Sequence, residues 1–122
     1  MNEHNERTRG HKLLPADLIA AMPAMGSGDG TGPTEDRLVG VKYFSPYSGA
    51  VWYALEGQVV GDDYEFFGWA ELLPGCGELG YFMLSELAGA SGMGGMLPLV
   101  ERDCYVGTLT RTLGQFRKER AA

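Results

Sequence analysis

Apolar and polar positions change period several times along the chain, and each change marks a predicted element. Leu14, Leu18, Ile19 and Met22 recur at helical spacing, with Pro15 in the first turn and Pro23 past the end, so the spacing predicts a short helix over 14–22. The stretch 25–36 then brings Gly26, Gly28, Gly30, Gly32 and Pro33 without a hydrophobic anchor, which predicts a flexible loop. Three runs rich in Val, Tyr, Phe and Trp follow over 38–44, 50–56 and 64–70 and read as strands. The segments 45–49 and 57–63 that join them are too short for parallel crossovers, so the strands form an antiparallel meander. A fourth run over 79–84 leads into Ser85, placed to cap a short helix that ends by 89–92. Past the glycine-rich 91–96, an edge strand is expected over 97–106 despite Pro98. Thr108 or Thr110 is placed to cap a closing helix through Leu113 and Phe116, which ends in the basic 117–120. The expected fold class is α+β: an antiparallel meander of four to five strands with short helices at the N-terminus, after the fourth strand and at the C-terminus.

A chain of 122 residues has room for one domain, expected over 12–122 behind a polar, disordered arm at 1–11. The arm lacks the apolar stretch of a secretory signal, and no apolar run approaches the ~18–20 residues that cross a bilayer. The two cysteines, Cys76 and Cys104, sit in unlike contexts without metal-ligand spacing. Reduced thiols in a cytoplasmic protein are expected, with no disulfide, metal site or cofactor.

Charge changes the picture most. Sixteen acidic and ten basic residues give a net charge of -6, the wrong sign for coating nucleic acid. No Lys, Arg or His stands between Lys42 and Arg102, while Glu56, Asp62, Asp63, Glu65, Glu71, Glu78, Glu86 and Glu101 all do. Part of this set is ordinary solvated surface, and the remainder is expected to line an acidic patch that attracts a basic protein surface.

The motifs that carry reaction chemistry are weak. Neither Gly26–Gly32 nor Gly92–Gly95 ends in the Gly-Lys-Ser/Thr of a phosphate loop, and both read as hinges or disorder. Only His4 and His11 are present, both in the arm, which disfavours a nucleophile–histidine site. Glu56, Asp63 or Glu78 could serve a two-carboxylate hydrolase, the least favoured reading. Asp62-Asp63-Tyr64-Glu65 offers oxygen ligands, although Asp residues in a hairpin turn more often satisfy backbone donors. Alternation puts Trp52 and Ala54 on one sheet face and Tyr53 and Leu55 on the other, and forces the same choice on Phe66-Phe67, so most of these rings are expected in the core, and a row left exposed suits a protein interface better than base stacking. In Glu101-Arg102-Asp103, Arg102 is expected to pair with Glu56 or Glu78, or to grip a small molecule or nucleotide in a cleft with Tyr53, Tyr81 and Glu78.

Five segments follow one another in a familiar order: Lys42-Tyr43-Phe44-Ser45-Pro46, Trp52-Tyr53-Ala54-Leu55-Glu56, Asp62 through Gly68, Glu78 through Leu87, and Leu97 through Asp103. Over roughly 12–116 the chain resembles domain-of-unknown-function family 2958, small bacterial proteins of plasmids, integrative conjugative elements and phages. The resemblance implies a cytoplasmic accessory protein of a mobile genetic element and carries no activity with it. The leading expectation is a non-enzymatic binding protein that engages a protein partner through an acidic, aromatic surface drawn from Tyr53, Glu56, Asp62, Asp63, Glu65, Glu78, Tyr81, Glu101, Arg102 and Asp103.

Overall fold

A computed structural model describes residues 11–92 and 97–121, so the expected arm over 1–11, except His11, and the glycine-rich Met93–Met96 lie outside the described residues. The chain forms α1 (Ala16–Ala21), a 3-10 turn (Thr34–Asp36), β1 (Val41–Phe44), β2 (Val51–Val60), β3 (Asp63–Leu73), β4 (Cys76–Met83), α2 (Leu84–Gly89), β5 (Ser91–Gly92), β6 (Leu97–Pro98), β7 (Glu101–Arg102) and α3 (Leu113–Ala121). The fold is α+β, built on a five-stranded antiparallel sheet in the order β4-β3-β2-β1-β7, with β5 and β6 as a separate two-stranded pair.

Strand alternation feeds two cores, one on each face. Val41, Tyr43, Ala54, Tyr64, Phe66 and Phe82 meet α1, α2 and the Leu13-Leu14 segment on the first face, where Tyr43 is fully buried and its hydroxyl donates to the Leu13 carbonyl at 2.7 Å. Val51, Tyr53 and Leu55 meet Leu113 and Phe116 of α3 on the second, with Phe44 and Trp69 packed at the margin. The division of Trp52 and Ala54 from Tyr53 and Leu55 follows the expected period of two.

Two features depart from plain alternation. Ala54 pairs with Gly68 but Glu56 pairs with Phe67, so Leu55 is an extra residue that turns Glu56 onto the Phe67 face. β2 also runs on through Gly57, where a strand end was expected, because the absence of a side chain leaves room for the Tyr64 ring. The β2–β3 and β3–β4 hairpins close on glycines with positive φ, Gly61 at 62° and Gly75 at 81°.

Three local expectations are corrected. The 97–106 run is not one strand: Leu97–Pro98 pairs with β5 and Glu101–Arg102 pairs with β1, since Pro98 has no N–H for a continuous ladder. Ser85 lies inside α2 and donates its N–H (3.1 Å) and hydroxyl to Asp63, which caps the helix from β3. α3 is capped by Thr112, whose Oγ1 accepts the Gln115 N–H (3.1 Å) while Gln115 Oε1 accepts the Thr112 N–H (2.8 Å), rather than by Thr108 or Thr110. The stretch 25–36 holds three successive turns, with hydrogen bonds from Ser27 to Ala24, Asp29 to Gly26 and Thr31 to Gly28, before the 3-10 turn.

Candidate functional site

The acidic residues sort by what they touch. Glu56 is buried and accepts the N–H groups of Gly26 (2.6 Å) and Gly28 (3.0 Å) together with the Arg37 guanidinium. Burial alone would raise its pKa, but the Gly26 N–H, the Arg37 side chain and the Gly28 N–H outweigh burial and hold it below the ordinary carboxylate value. The glycine-rich loop thus does form an anion cradle, and the anion is the protein's own. A Cβ at Gly28 would overlap the Arg37 guanidinium, so a side chain there would have to displace Arg37 from its place beside Glu56.

Glu71 is handled alike. It is buried and accepts from Arg120, from Trp69 Nε1 at 3.1 Å and from the Gly75 N–H at 3.2 Å, which together overcome burial and lower its pKa. Burial would likewise raise the pKa of Asp63, and the Ser85 hydroxyl with the Tyr64 and Ser85 N–H groups brings it down. These three carboxylates are structural anchors with their hydrogen-bonding capacity engaged.

Asp62, Glu65, Glu78 and Tyr81 stand on the other side of the ledger. Asp62 is exposed in the β2–β3 turn, Glu65 accepts from Gln58 Nε2 at 2.9 Å, and Glu78 is exposed on β4. Tyr81 is 67% exposed, and its ring lies 5.1 Å from that of its cross-strand neighbour Phe67. Next along the same face, Trp69 pairs with Leu79, itself 41% exposed. Glu65, paired with Met83, extends this row at the other end. The result is an open aromatic strip, Phe67-Tyr81-Leu79, with carboxylates beside it. Phe67 and Leu79 are outside the expected set, although the doublet Phe66-Phe67 signals Phe67, since adjacent strand residues must face opposite ways.

Other members of the expected set do not join the strip. Tyr53 is buried under Phe116, with stacked rings 5.1 Å apart, and burial pushes its pKa up. Glu101, Arg102 and Asp103 lie at the opposite edge of the sheet, four strand spacings or about 19 Å from β4. Arg102 Nε donates to the Lys12 carbonyl at 2.9 Å, and the expected pairing with Glu56 or Glu78 is replaced by the Arg37–Glu56 pair. Asp103 pairs with Lys42 at 3.4 Å and accepts the Tyr105 N–H at 3.0 Å. The sheet therefore separates Arg102 from Glu78 and Tyr81 instead of gathering them into a cleft.

Cavities do open around α3. One of about 300 Å³ is bordered by Lys42, Ser45, Ser48 and Asp103, one of about 260 Å³ by Lys42, Tyr53 and Phe116, and one of about 530 Å³ by Trp69, Glu71 and Arg117. Arg120 borders all three, yet its guanidinium is already committed to Glu71 and the Gly49 carbonyl. Arg111 and Arg117 are spent in the same way, on Glu119 and Glu35, while stacking over Phe116 (4.3 Å) and Trp69 (3.8 Å). Among the described residues no three His, Cys, Asp or Glu side chains gather as a metal site, both cysteines are exposed thiols, and no helix is long and apolar enough to cross a membrane.

A family model described as "protein of unknown function (DUF2958)" matches residues 13–121. The chain belongs to this family. The DUF2958 match covers α1 through α3, so it includes the aromatic strip and all three anchored carboxylates. No curated protein and no solved structure matches the chain.

Proposed function

We propose that this DUF2958 protein is a non-enzymatic binding protein that engages a basic protein partner through the acidic, aromatic strip of β3 and β4. The observation that carries this reading is Tyr81, exposed against Phe67 in a segment with no cation between Lys42 and Arg102. An exposed tyrosine stacked on a half-buried phenylalanine presents a rigid anchor of large area, and the neighbouring carboxylates favour a cationic counterpart. Glu65 on the face of the strip, Asp62 in the β2–β3 turn and Glu78 on the opposite face of the β4 edge are the carboxylates available to a partner, whereas Glu56, Asp63 and Glu71 hold the fold. The likeness of the five ordered segments to small proteins of plasmids, integrative conjugative elements and phages supports a role as an accessory protein of a bacterial mobile element, acting in the cytoplasm.

The test is quantitative affinity capture from the bacterial host with the wild-type protein, with Tyr81→Ala, and with the triple variant Asp62→Lys, Glu65→Lys, Glu78→Lys. A partner of net positive charge is expected to bind the wild type and to be lost from both variants at unchanged thermal stability. A partner retained by both variants overturns the reading.

A further inference from the structure

The two edges of the sheet are finished differently. β7 is a two-residue edge, and the Arg102 N–H is taken by His11 Nε2 at 3.1 Å. β4 is an eight-residue edge, and among the described residues no strand lies against its outer side. Natural edges are blunted by lysine, proline, a bulge or brevity. β4 has no lysine and no proline, and its one charge is Glu78. Its register irregularity sits at Glu71/Leu73 by the turn, leaving pairing unbroken from Glu71↔Gly77 to Glu65↔Met83. Outward N–H and C=O groups therefore line a long, regular edge beside the exposed Leu79 and Tyr81.

We propose that β4 receives an added strand from the partner, an extended segment in which apolar and cationic residues alternate. This rests on the reading of the β3–β4 strip as the partner surface and states how that surface is used. The alternation follows from the pleat. Leu79 and Tyr81 stand on one face of β4 and Glu78 on the other, so a strand laid alongside sets every second side chain beside the apolar pair and the intervening ones beside Glu78. Apolar side chains on the first face extend the Phe67-Tyr81-Leu79 strip, and lysine or arginine on the second meets the carboxylate. Backbone hydrogen bonds supply the affinity in such an addition, and the alternate side chains supply the selectivity. The partner's cations meet no repulsion from the segment between Lys42 and Arg102, which has no cation of its own.

The test uses the full chain and three eight-residue labelled peptides followed by fluorescence anisotropy: one alternating lysine and valine, the same sequence methylated at every backbone nitrogen, and one alternating glutamate and valine. The lysine–valine peptide is expected to bind at least tenfold more tightly than either of the others, to lose at least tenfold in affinity to Tyr81→Ala, and to slow amide exchange at alternate positions of Cys76–Met83. Equal binding by the methylated peptide, with β4 exchange unchanged, overturns strand addition while leaving the basic-partner reading standing. Equal binding by the glutamate–valine peptide overturns the cationic register and, with it, the charge argument for the partner. Absence of binding by all three overturns both. Sedimentation of the protein alone as a dimer that Gly80→Pro dissociates overturns the proposal by assigning the edge to a second copy.

Discussion

Glu56 shows how one residue can look catalytic in a sequence and be architectural in the fold. It sits in a segment without cations, yet its side chain draws in Arg37 from nineteen positions upstream and two backbone N–H groups from the glycine loop. Removing one member of a buried ion pair typically costs about 3–5 kcal/mol, because its partners are left desolvated. Glu56→Gln keeps the shape and some hydrogen bonding, so a loss of about 2–3 kcal/mol is expected in urea unfolding, whereas Glu78→Gln, on the exposed edge, should stay within about 0.5 kcal/mol of wild type. Asp63→Asn, which weakens the cap on α2, is expected to cost about 1 kcal/mol. The pH dependence has a definite sign. Glu56, Asp63 and Glu71 are all depressed in the folded state, so each contributes stability that is present above the ordinary unfolded value and is lost as pH falls through the lower folded value. Urea midpoints should therefore decline below about pH 4.5, starting near the unfolded carboxylate pKa. Glu56→Gln should flatten that acid limb, and an unchanged limb would show that Glu56 does not contribute to it.

At the scale of elements, α3 earns its place by packing rather than by charge. Leu113 is fully buried and Phe116 stacks on Tyr53. Phe116→Ala is expected to cost about 3–5 kcal/mol through the cavity it leaves, while Lys118→Ala on the exposed side should have no measurable effect; equilibrium unfolding by fluorescence checks both. Gly68 faces Ala54 beside the bulge, where a Cβ would overlap the Tyr53 carbonyl oxygen. Gly68→Ala should therefore cost about 2–3 kcal/mol by forcing β2 and β3 apart. These elements also show what a sequence discloses. Strands β1 to β4 were legible because Val, Tyr, Phe and Trp alternate along them, and the face of Trp52 against Tyr53 follows from the period alone. The extra residue at Leu55 was not legible, since a bulge depends on the partner strand's register, and it decides the face of Glu56. The loop 25–36 read as unanchored because its anchor is a carboxylate on β2, a contact between residues far apart in sequence. Of the strip, Tyr81, Glu65 and Glu78 were legible as types of residue. Their separation from Arg102 was not, because it depends on β7 joining the sheet beside β1 instead of beside β4.

For the whole molecule, the question is where the charge of -6 resides once internal pairs have formed. The segment 102–120 carries five cations and two carboxylates, but Arg111, Arg117 and Arg120 are each matched by a carboxylate on contact. Arg37 and Lys42 are matched as well, by Glu56 and Asp103. Among the described residues no cation lies within ion-pair distance of Asp62, Glu65, Glu78 or Glu86, which leaves part of the surplus on β3, β4 and the elements that flank them, while Asp17, Asp29, Asp36 and Glu101 also stand outside the ion pairs. Surface charge of one sign that is not internally paired acts mainly on encounter rate, and its reach at physiological salt is about 8 Å. The association rate with a cationic partner is therefore expected to fall about tenfold as ionic strength rises from about 50 to about 300 mM, with little change in dissociation. Tyr81→Ala should show the opposite division, an unaltered association rate with dissociation at least tenfold faster, because an aromatic anchor acts after contact. Stopped-flow measurement on both proteins separates the two effects. A salt-insensitive association rate would mean that the unpaired carboxylates do not steer the encounter, and the apolar strip would then have to account for binding without them.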